Sequence, residues 1–323
     1  MRLRALLCTL VLAALSAVSM PGLAAYPDKP IRLIVPSAPG GAPDALMRAL
    51  GAQLSQQMGV PIVVDNKPGG SYTIGTMDLV HSAPDGYTLA YGNIVSLATN
   101  RSLLPSVPYD VEKDLTLVAN TLRLSNLLIV NNDLPVKTVP ELVAYAKKNP
   151  GKLNYASSGN GTIVQLTAEL FKAQAGVFVT HIPYKGTALA IPDLISGKID
   201  VLFDSLPTGM PHVRDGRLRA LGVTSLKRSP LAPELPPIAE TLPGYESNTW
   251  FGFYGPKGLP ADIVAKINKA ANEALADPEV KEKLARLGIE TATPGTPDQF
   301  AKMVAADAAK WKKIVVDRKI TNE

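Results

Sequence analysis

Short apolar segments recur along this chain, each running into a glycine- or proline-bearing loop and then into an amphipathic helix. That rhythm constrains the fold more than any other feature. Ile31-Arg-Leu-Ile-Val35 reads as a buried strand that breaks into Pro36-Ser-Ala-Pro-Gly-Gly-Ala-Pro43. A helix follows, with Leu46, Leu50, Leu54 and Met58 at fourfold spacing and Gly59 as its stop. Pro61 to Asp65 is a second strand, ending at Pro68-Gly-Gly70, and a helix over about 72–81 leads to a third strand, Tyr87 to Tyr91. Alternation of this kind predicts a mainly parallel sheet with helices on both faces, because parallel strands need a crossover between them.

The middle of the chain carries a second series. Leu127 to Val130 is a strand, and Thr138-Val-Pro-Glu141 is a capping box opening a helix that stops at Pro150-Gly151. Leu153 to Ser157 is a strand, and Thr162-Ile-Val-Gln165 reads as a second capping box whose helix runs to Gly176. Strands at 179–184, 199–203 and 218–224 precede a proline-rich loop from Ser229 to Pro237. The last part differs. Trp250 to Tyr254 alternates like a strand, and three helices follow with Pro260, Pro278 and Pro297 near their first positions. Two α/β series with a terminal helical set predict two lobes, each with a mainly parallel sheet: residues 26–124 with 246–323, and residues 125–245. No residue-level repeat or low-complexity tract appears.

Residues 1–25 read as a secretory signal peptide: Arg2 and Arg4, an apolar run over 6–18, then small residues to Ala24 and Ala25. Its removal takes two arginines and lowers the formal net charge from +5 to +3. The sole cysteine, Cys8, leaves with it, which excludes disulfides, thiol catalysis and cysteine metal sites from the mature chain. No later stretch approaches 18 consecutive apolar residues, so an exported, soluble periplasmic protein is expected. Hydrophobic residues make up 46% and charged residues 19%, enough to build a core. Aromatics at 6% and a modest charge argue against nucleic acid as partner.

Two loops carry the visible chemistry. Ser37, Ala38, Pro39, Gly40 and Gly41 lie between a strand and a helix whose first turn holds Asp44. Glycines let a ligand approach the backbone, and the helix N-terminus offers unpaired N–H groups and partial positive charge, which suits an anion. Ser157, Ser158, Gly159, Asn160, Gly161 and Thr162 form the second such loop, with Gln165 one turn into the next helix. In an open α/β sheet ligands sit at the carboxyl ends of the strands, where both loops fall. The plain alternative for each is turn and capping chemistry. Neither is a nucleotide motif: Gly159-Asn-Gly161 lacks the third glycine and a following lysine. Tyr184 and Lys185, in Pro183-Tyr-Lys-Gly186, either wall a pocket or close a strand end. Asp204 either holds a ligand ammonium or hydroxyl or caps the following helix. His181, within a strand, reads as core or rim rather than as a catalytic group.

Taken in order, these segments resemble the substrate-binding receptors of tripartite tricarboxylate transporters, the Bug family of periplasmic solute receptors. The resemblance rests on Tyr26 to Pro36, Pro39-Gly-Gly41 with Asp44, Asp65-Asn-Lys-Pro-Gly-Gly70, Tyr155 to Thr162, Val179 to Gly186, Phe203-Asp204, Arg219 to Ser225 with Lys227-Arg-Ser-Pro230, and Ala276 to Val280. It implies a two-lobed, type II periplasmic binding fold. It also implies a carboxylate gripped between the lobes by the two glycine loops, no cofactor and no metal, and a membrane permease of one large and one small subunit as partner to a monomeric receptor. Two positions depart from the family pattern. Ser37 stands where an aromatic residue is usual, and Gln165 where a histidine is frequent.

Other functions fit the residues less well. A hydrolase needs a nucleophile and a base, yet the histidines are only His81, His181 and His212, without metal-pair spacing, and no G-x-S-x-G elbow is present. No carboxylate pair stands out. A periplasmic sensor for a signalling partner shares the fold class and remains open on sequence grounds.

Overall fold

The computed structural model describes residues 26–40 and 42–321. The expected signal peptide (residues 1–25) and Gly41 of the first loop lie outside the described residues. Chain order begins β1 (Ile31–Val35), α1 (Ala42–Met58), β2 (Ile62–Asn66), α2 (Thr73–Val80) and β3 (Thr88–Asn93). After short helices α3 (Asn100–Leu103) and α4 (Val111–Asp114), strand β4 (Leu115–Leu124) passes through Ser125 into β5 (Asn126–Asn131). The second series is α5 (Val139–Lys148), β6 (Asn154–Ser157), α6 (Ile163–Ala175), β7 (Thr180–Pro183), α7 (Thr187–Ile195), β8 (Val201–Ser205), α8 (Leu206–Arg214) and β9 (Leu218–Val223). The chain then returns through β10 (Thr249–Pro256), α9 (Ala261–Ala276), α10 (Pro278–Arg286), β11 (Glu290–Thr291) and α11 (Pro297–Asp317).

Two sheets result, ordered β11-β4-β10-β3-β1-β2 and β7-β6-β8-β5-β9. The expectation of mainly parallel sheets needs correction. β1 pairs β2 and β3 in parallel, and β6 pairs β7 and β8 in parallel, as strand–helix–strand units require. The strands that enter a sheet directly from the other one have no crossover helix and run antiparallel. β10 does so against β3 and β4, and β5 against β8 and β9; the short β11, which follows α10 in its own half, also runs antiparallel to β4. Both sheets are therefore mixed.

Side-chain alternation builds the layers. In β5, Leu127 and Ile129 face the core under α7 and α8, while Leu128 and Val130 face the core under α5 and α6. In β1, Leu33 and Val35 pack toward α1 and α9, and Ile34 points the other way. Helix α11 joins both halves. Its Phe300, Val304, Trp311, Ile314 and Val315 are buried in one cluster that contains Ile34 and Ala90 of the first sheet and Leu128 and Phe171 of the second half. Its N-terminus is a full capping box, with Thr296 Oγ1 accepting the Gln299 N–H and Gln299 Oε1 accepting the Thr296 N–H.

The registers fix how the sheets meet. Thr249 pairs with Leu124, Asn126 with Ser205, and Leu127 with Val223. Both chain crossings thus leave and enter at the ends of the sheets where β1, β3, β6 and β8 terminate. The carboxyl edges of the two sheets meet at the crossings. Hydrogen bonds fasten that junction: Asn126 N–H to Thr224 Oγ1 (2.9 Å), Ser247 N–H to Thr224 O (3.0 Å) and Leu206 N–H to Ser125 O (3.1 Å).

Candidate functional site

The first glycine loop leaves β1 at Pro36, and Ala38, Pro39 and Gly40 are exposed. Gly40 has φ +79°, and a Cβ there would meet nothing within 4 Å. Asp44, in the first turn of α1, is buried and turned back onto the loop. Its Oδ2 accepts the Gly40 N–H (2.9 Å) and Arg48 Nε (3.0 Å), and its Oδ1 accepts Asn66 Nδ2 (2.9 Å). Asn66 Nδ2 also donates to Ser37 O (3.0 Å). Arg48, then the Gly40 amide and Asn66, hold the Asp44 carboxyl down at about 2. Asp44 therefore shapes the loop from below, and its charge is matched by Arg48. Ser37 keeps its hydroxyl buried without a hydrogen-bond partner among the described residues.

The second loop closes on itself. Ser157, at the end of β6, accepts the Gly159 N–H at its Oγ (3.1 Å) and donates to Gly159 O (3.0 Å). Thr162 Oγ1 donates to Gly159 O (2.7 Å) and makes no cap bond to α6. The expected second capping box is thus not formed. Its glutamine reaches one residue further back, where Gln165 Oε1 accepts the Gly161 N–H (2.7 Å). Gly159 at φ +130° and Gly161 at φ +70° allow this tight turn. Ser158, Gly159, Asn160 and Gly161 are half-buried along the loop, and the first-turn N–H groups of α6 receive no side-chain cap. Several amides expected to be free are engaged by the chain's own acceptors.

The neighbouring segment packs against this loop. The Tyr184 N–H donates to Ser157 O (3.1 Å), and the Tyr184 carbonyl lies 3.5 Å from where a Cβ on Gly159 would sit. The Tyr184 ring turns to the α7 side and donates its hydroxyl to Asp193 Oδ2 (2.8 Å), which together with burial raises the phenol. Lys185 is exposed. Asp204 is buried on the α7–α8 side of β8 and accepts the Thr208 hydroxyl (2.7 Å), while Ser205 is the N-cap position. Burial raises its carboxyl. It lines a cavity of about 660 Å3 with Thr187, Thr208, His212 and Arg217, apart from both glycine loops. A larger cavity of about 830 Å3 lies beside β4, α9 and α11 and includes neither loop.

Two features of the site are silent in the sequence. His181 on β7 joins the base of the second loop, with Nε2 2.6 Å from Ser157 Oγ and Nδ1 3.2 Å from Gln165 Nε2. Twenty-odd residues separate it from the loop, so no local spacing signals the contact. Beside the first loop, four successive residues have positive φ: Gly69 (114°), Gly70 (56°), Ser71 (50°) and Tyr72 (76°). A left-handed tyrosine stores strain, and such strain gathers at functional sites. Asn93 Nδ2 donates to the Tyr72 hydroxyl (2.9 Å), and Asn100 Nδ2 to Ser71 O (2.7 Å).

Residues 46–320 match the tripartite tricarboxylate transporter family receptor. The chain belongs to that family. It is 40% identical over 301 residues to the UPF0065 protein in the tcbD-tcbE intergenic region of Pseudomonas sp. (strain P51), covering 92% of this chain and 89% of that one. An R. palustris protein solved with adipate is 36% identical, with a TM-score of 0.73 over 91% of this chain and 99% of the other. MatC from Rhodopseudomonas palustris, solved with bound malate, is 30% identical, with a TM-score of 0.69 over 90% and 100%. The fold of this family receptor is accordingly the two-lobed periplasmic binding architecture, and the mixed sheets above are its lobes. Among the described residues no helix is long and apolar enough to cross a membrane, and no group of three or more His, Cys, Asp or Glu forms a metal site.

Proposed function

We propose that this chain is an exported periplasmic receptor that captures a small carboxylate between its lobes and delivers it to the membrane permease of a tripartite tricarboxylate-type transporter, with no catalytic step. The observation that supports this reading is that β1 and β6, which run into the two glycine loops, end on the sides of their sheets where the chain crosses from one sheet to the other. Bound adipate and malate in two relatives support the ligand class. The grip is assigned to Ser37 to Gly41 and Ser157 to Thr162. Asp44 and Gln165 hold those loops in shape, and Tyr184 and Lys185 flank the second. The lobes are assigned to residues 26–124 with 246–323, and to 125–245. Contacts made from both loops at once favour the closed state over the open one.

A thermal-shift screen over carboxylates, amines and neutral sugars tests the reading. At least one carboxylate should stabilise the protein. Stabilisation by amines or sugars with no response to any acid overturns the ligand class. A Cβ at Gly40 meets nothing within 4 Å, so Gly40→Trp costs the strain of a non-glycine residue at φ +79° without a clash at Cβ, and the fold should survive while carboxylate binding is lost. Unchanged affinity would move the ligand away from the first loop.

A further inference from the structure

The bonds around His181 define one proton arrangement. The Gly161 N–H is a backbone donor, so the Gln165 amide must present its oxygen to it, at 2.7 Å. The Gln165 nitrogen then faces His181 Nδ1 at 3.2 Å as donor, and Nδ1 must accept. That leaves the proton on Nε2, which donates to Ser157 Oγ at 2.6 Å. The imidazole is neutral in this arrangement, and the Gly161 amide is held by Gln165 instead of being offered to a ligand.

Adding a proton to Nδ1 turns that acceptor into a donor. The Gln165 amide must then invert so that its oxygen takes the Nδ1–H, and the inverted amide no longer accepts from Gly161. The Gly161 N–H is released, and a positive charge appears beneath the second loop. Both changes favour an anion. We infer that carboxylate binding at the second glycine loop is coupled to proton uptake by His181, transmitted through the amide of Gln165. His181 is a positioning residue that acts on the loop without touching the ligand. The inference rests on the receptor reading given above.

The surroundings keep the free protein in the neutral state. The ring stacks on Tyr155 with centroids 4.8 Å apart. The charged groups facing it are Glu169 and Lys172 on α6, and Arg318 after α11 reaches Glu169 Oε2 at 3.6 Å. Burial lowers the His181 imidazole first of all, Lys172 adds to that, and Glu169 opposes it. A bound carboxylate shifts the balance toward imidazolium. By reciprocity, the factor by which the ligand favours the protonated histidine is the factor by which protonation tightens the ligand.

The chain has three histidines, His81, His181 and His212, so the imidazole nitrogens resolve by NMR. Titration from pH 8 to pH 5, with and without saturating adipate or malate, should show the His181 pKa rising by about one unit on binding. Affinity should tighten about tenfold over that range, the equivalent of one pKa unit. The ligand's own titration is removed by comparison with His181→Phe, which keeps an aromatic face on Tyr155 and should lose the tightening. Should that variant misfold, the wild-type NMR titration still decides. If adipate or malate perturbs the Gly159 and Gly161 amides while the His181 pKa stays put, the coupling is refuted and the receptor reading stands. If no carboxylate from acetate to adipate perturbs either loop, both fall.

Discussion

Beneath the second loop lies a buried ion pair whose removal has a calculable cost. Lys172 Nζ sits 2.5 Å from Glu169 Oε1, and their side chains are only 10% and 8% exposed. The same carboxylate oxygen accepts the Tyr155 hydroxyl at 2.7 Å. At an effective dielectric of about 20, opposite charges at this distance attract by about 7 kcal/mol. Burying each ion costs several kcal/mol, so the pair as a whole adds little net stability. Breaking it is different. Glu169→Gln keeps the shape and an acceptor for Tyr155 but leaves a buried ammonium without its counter-charge. The expected loss is about 3–5 kcal/mol. Urea unfolding, followed by the fluorescence of Trp250 and Trp311 and by circular dichroism, measures it. Lys172→Met in the same chain removes the stranded charge, and the double variant should return to within about 1 kcal/mol of wild type, a rescue of about 2–4 kcal/mol over Glu169→Gln alone. A cost below about 1 kcal/mol for Glu169→Gln, or a double variant as weak as the single, would refute the claim that this pair is desolvated.

Three further outcomes are expected. Gly252→Ala should destabilise by about 2–4 kcal/mol in the same urea assay, because the new Cβ would lie 2.3 Å from Phe300 Cζ and 2.6 Å from Ala119 O in a packed sheet. The Asp44 carboxyl is depressed to about 2 from an ordinary 3.8. Its contribution is therefore full above about pH 4 and lost as the pH falls toward 2, so Asp44→Asn should flatten the acid limb of the melting-temperature profile in that window. Asp204 has the opposite sign. Burial raises its carboxyl, so its ionisation costs stability above the unfolded value of 3.8, and Asp204→Asn should weaken the protein less at pH 7 than at pH 4.

Most of the fold was legible because local rules decided it. The fourfold spacing of Leu46 to Met58 gives α1, Gly59 ends it at φ +73°, and Pro278 and Pro297 open α10 and α11 at first-turn positions. Strand direction was not legible at β5 and β10, since alternation along a strand says nothing about its neighbour. Those two strands reverse the sheets because they cross between lobes without a helix. The loops were legible as glycine-rich turns between strand and helix. Which of their amides stay free was not, because Asp44 and Gln165 each return one turn of helix to claim a glycine N–H. His181 reaches the second loop only through sheet pairing, where Tyr155 and Ser157 register with His181 and Pro183. The left-handed Ser71 and Tyr72 had no signal, since neither residue type favours that region.

The crossings alone would leave the lobes loosely tied, and the C-terminal helix changes that. Ser125 by itself separates β4 from β5, and the returning strand is stitched to α6 by Ser247 Oγ and Thr167 Oγ1 at 2.5 Å. Helix α11 then buries Trp311 and Ile314 in a core shared by both halves, and Trp250 Nε1 donates to its Asp307 at 2.5 Å. Two strands and a helix make three ties on one side of the cleft. If the proposed capture closes the two halves on a carboxylate, the expected motion is a pivot at these ties, with α11 sliding against α6 rather than lifting from it, since packed helices move by small shear steps. Trp250, on β10, is tied to that helix through Asp307, so ligand binding should change its fluorescence in the Trp311→Phe variant. A ligand that binds with no such change would show that the lobes close without moving α11.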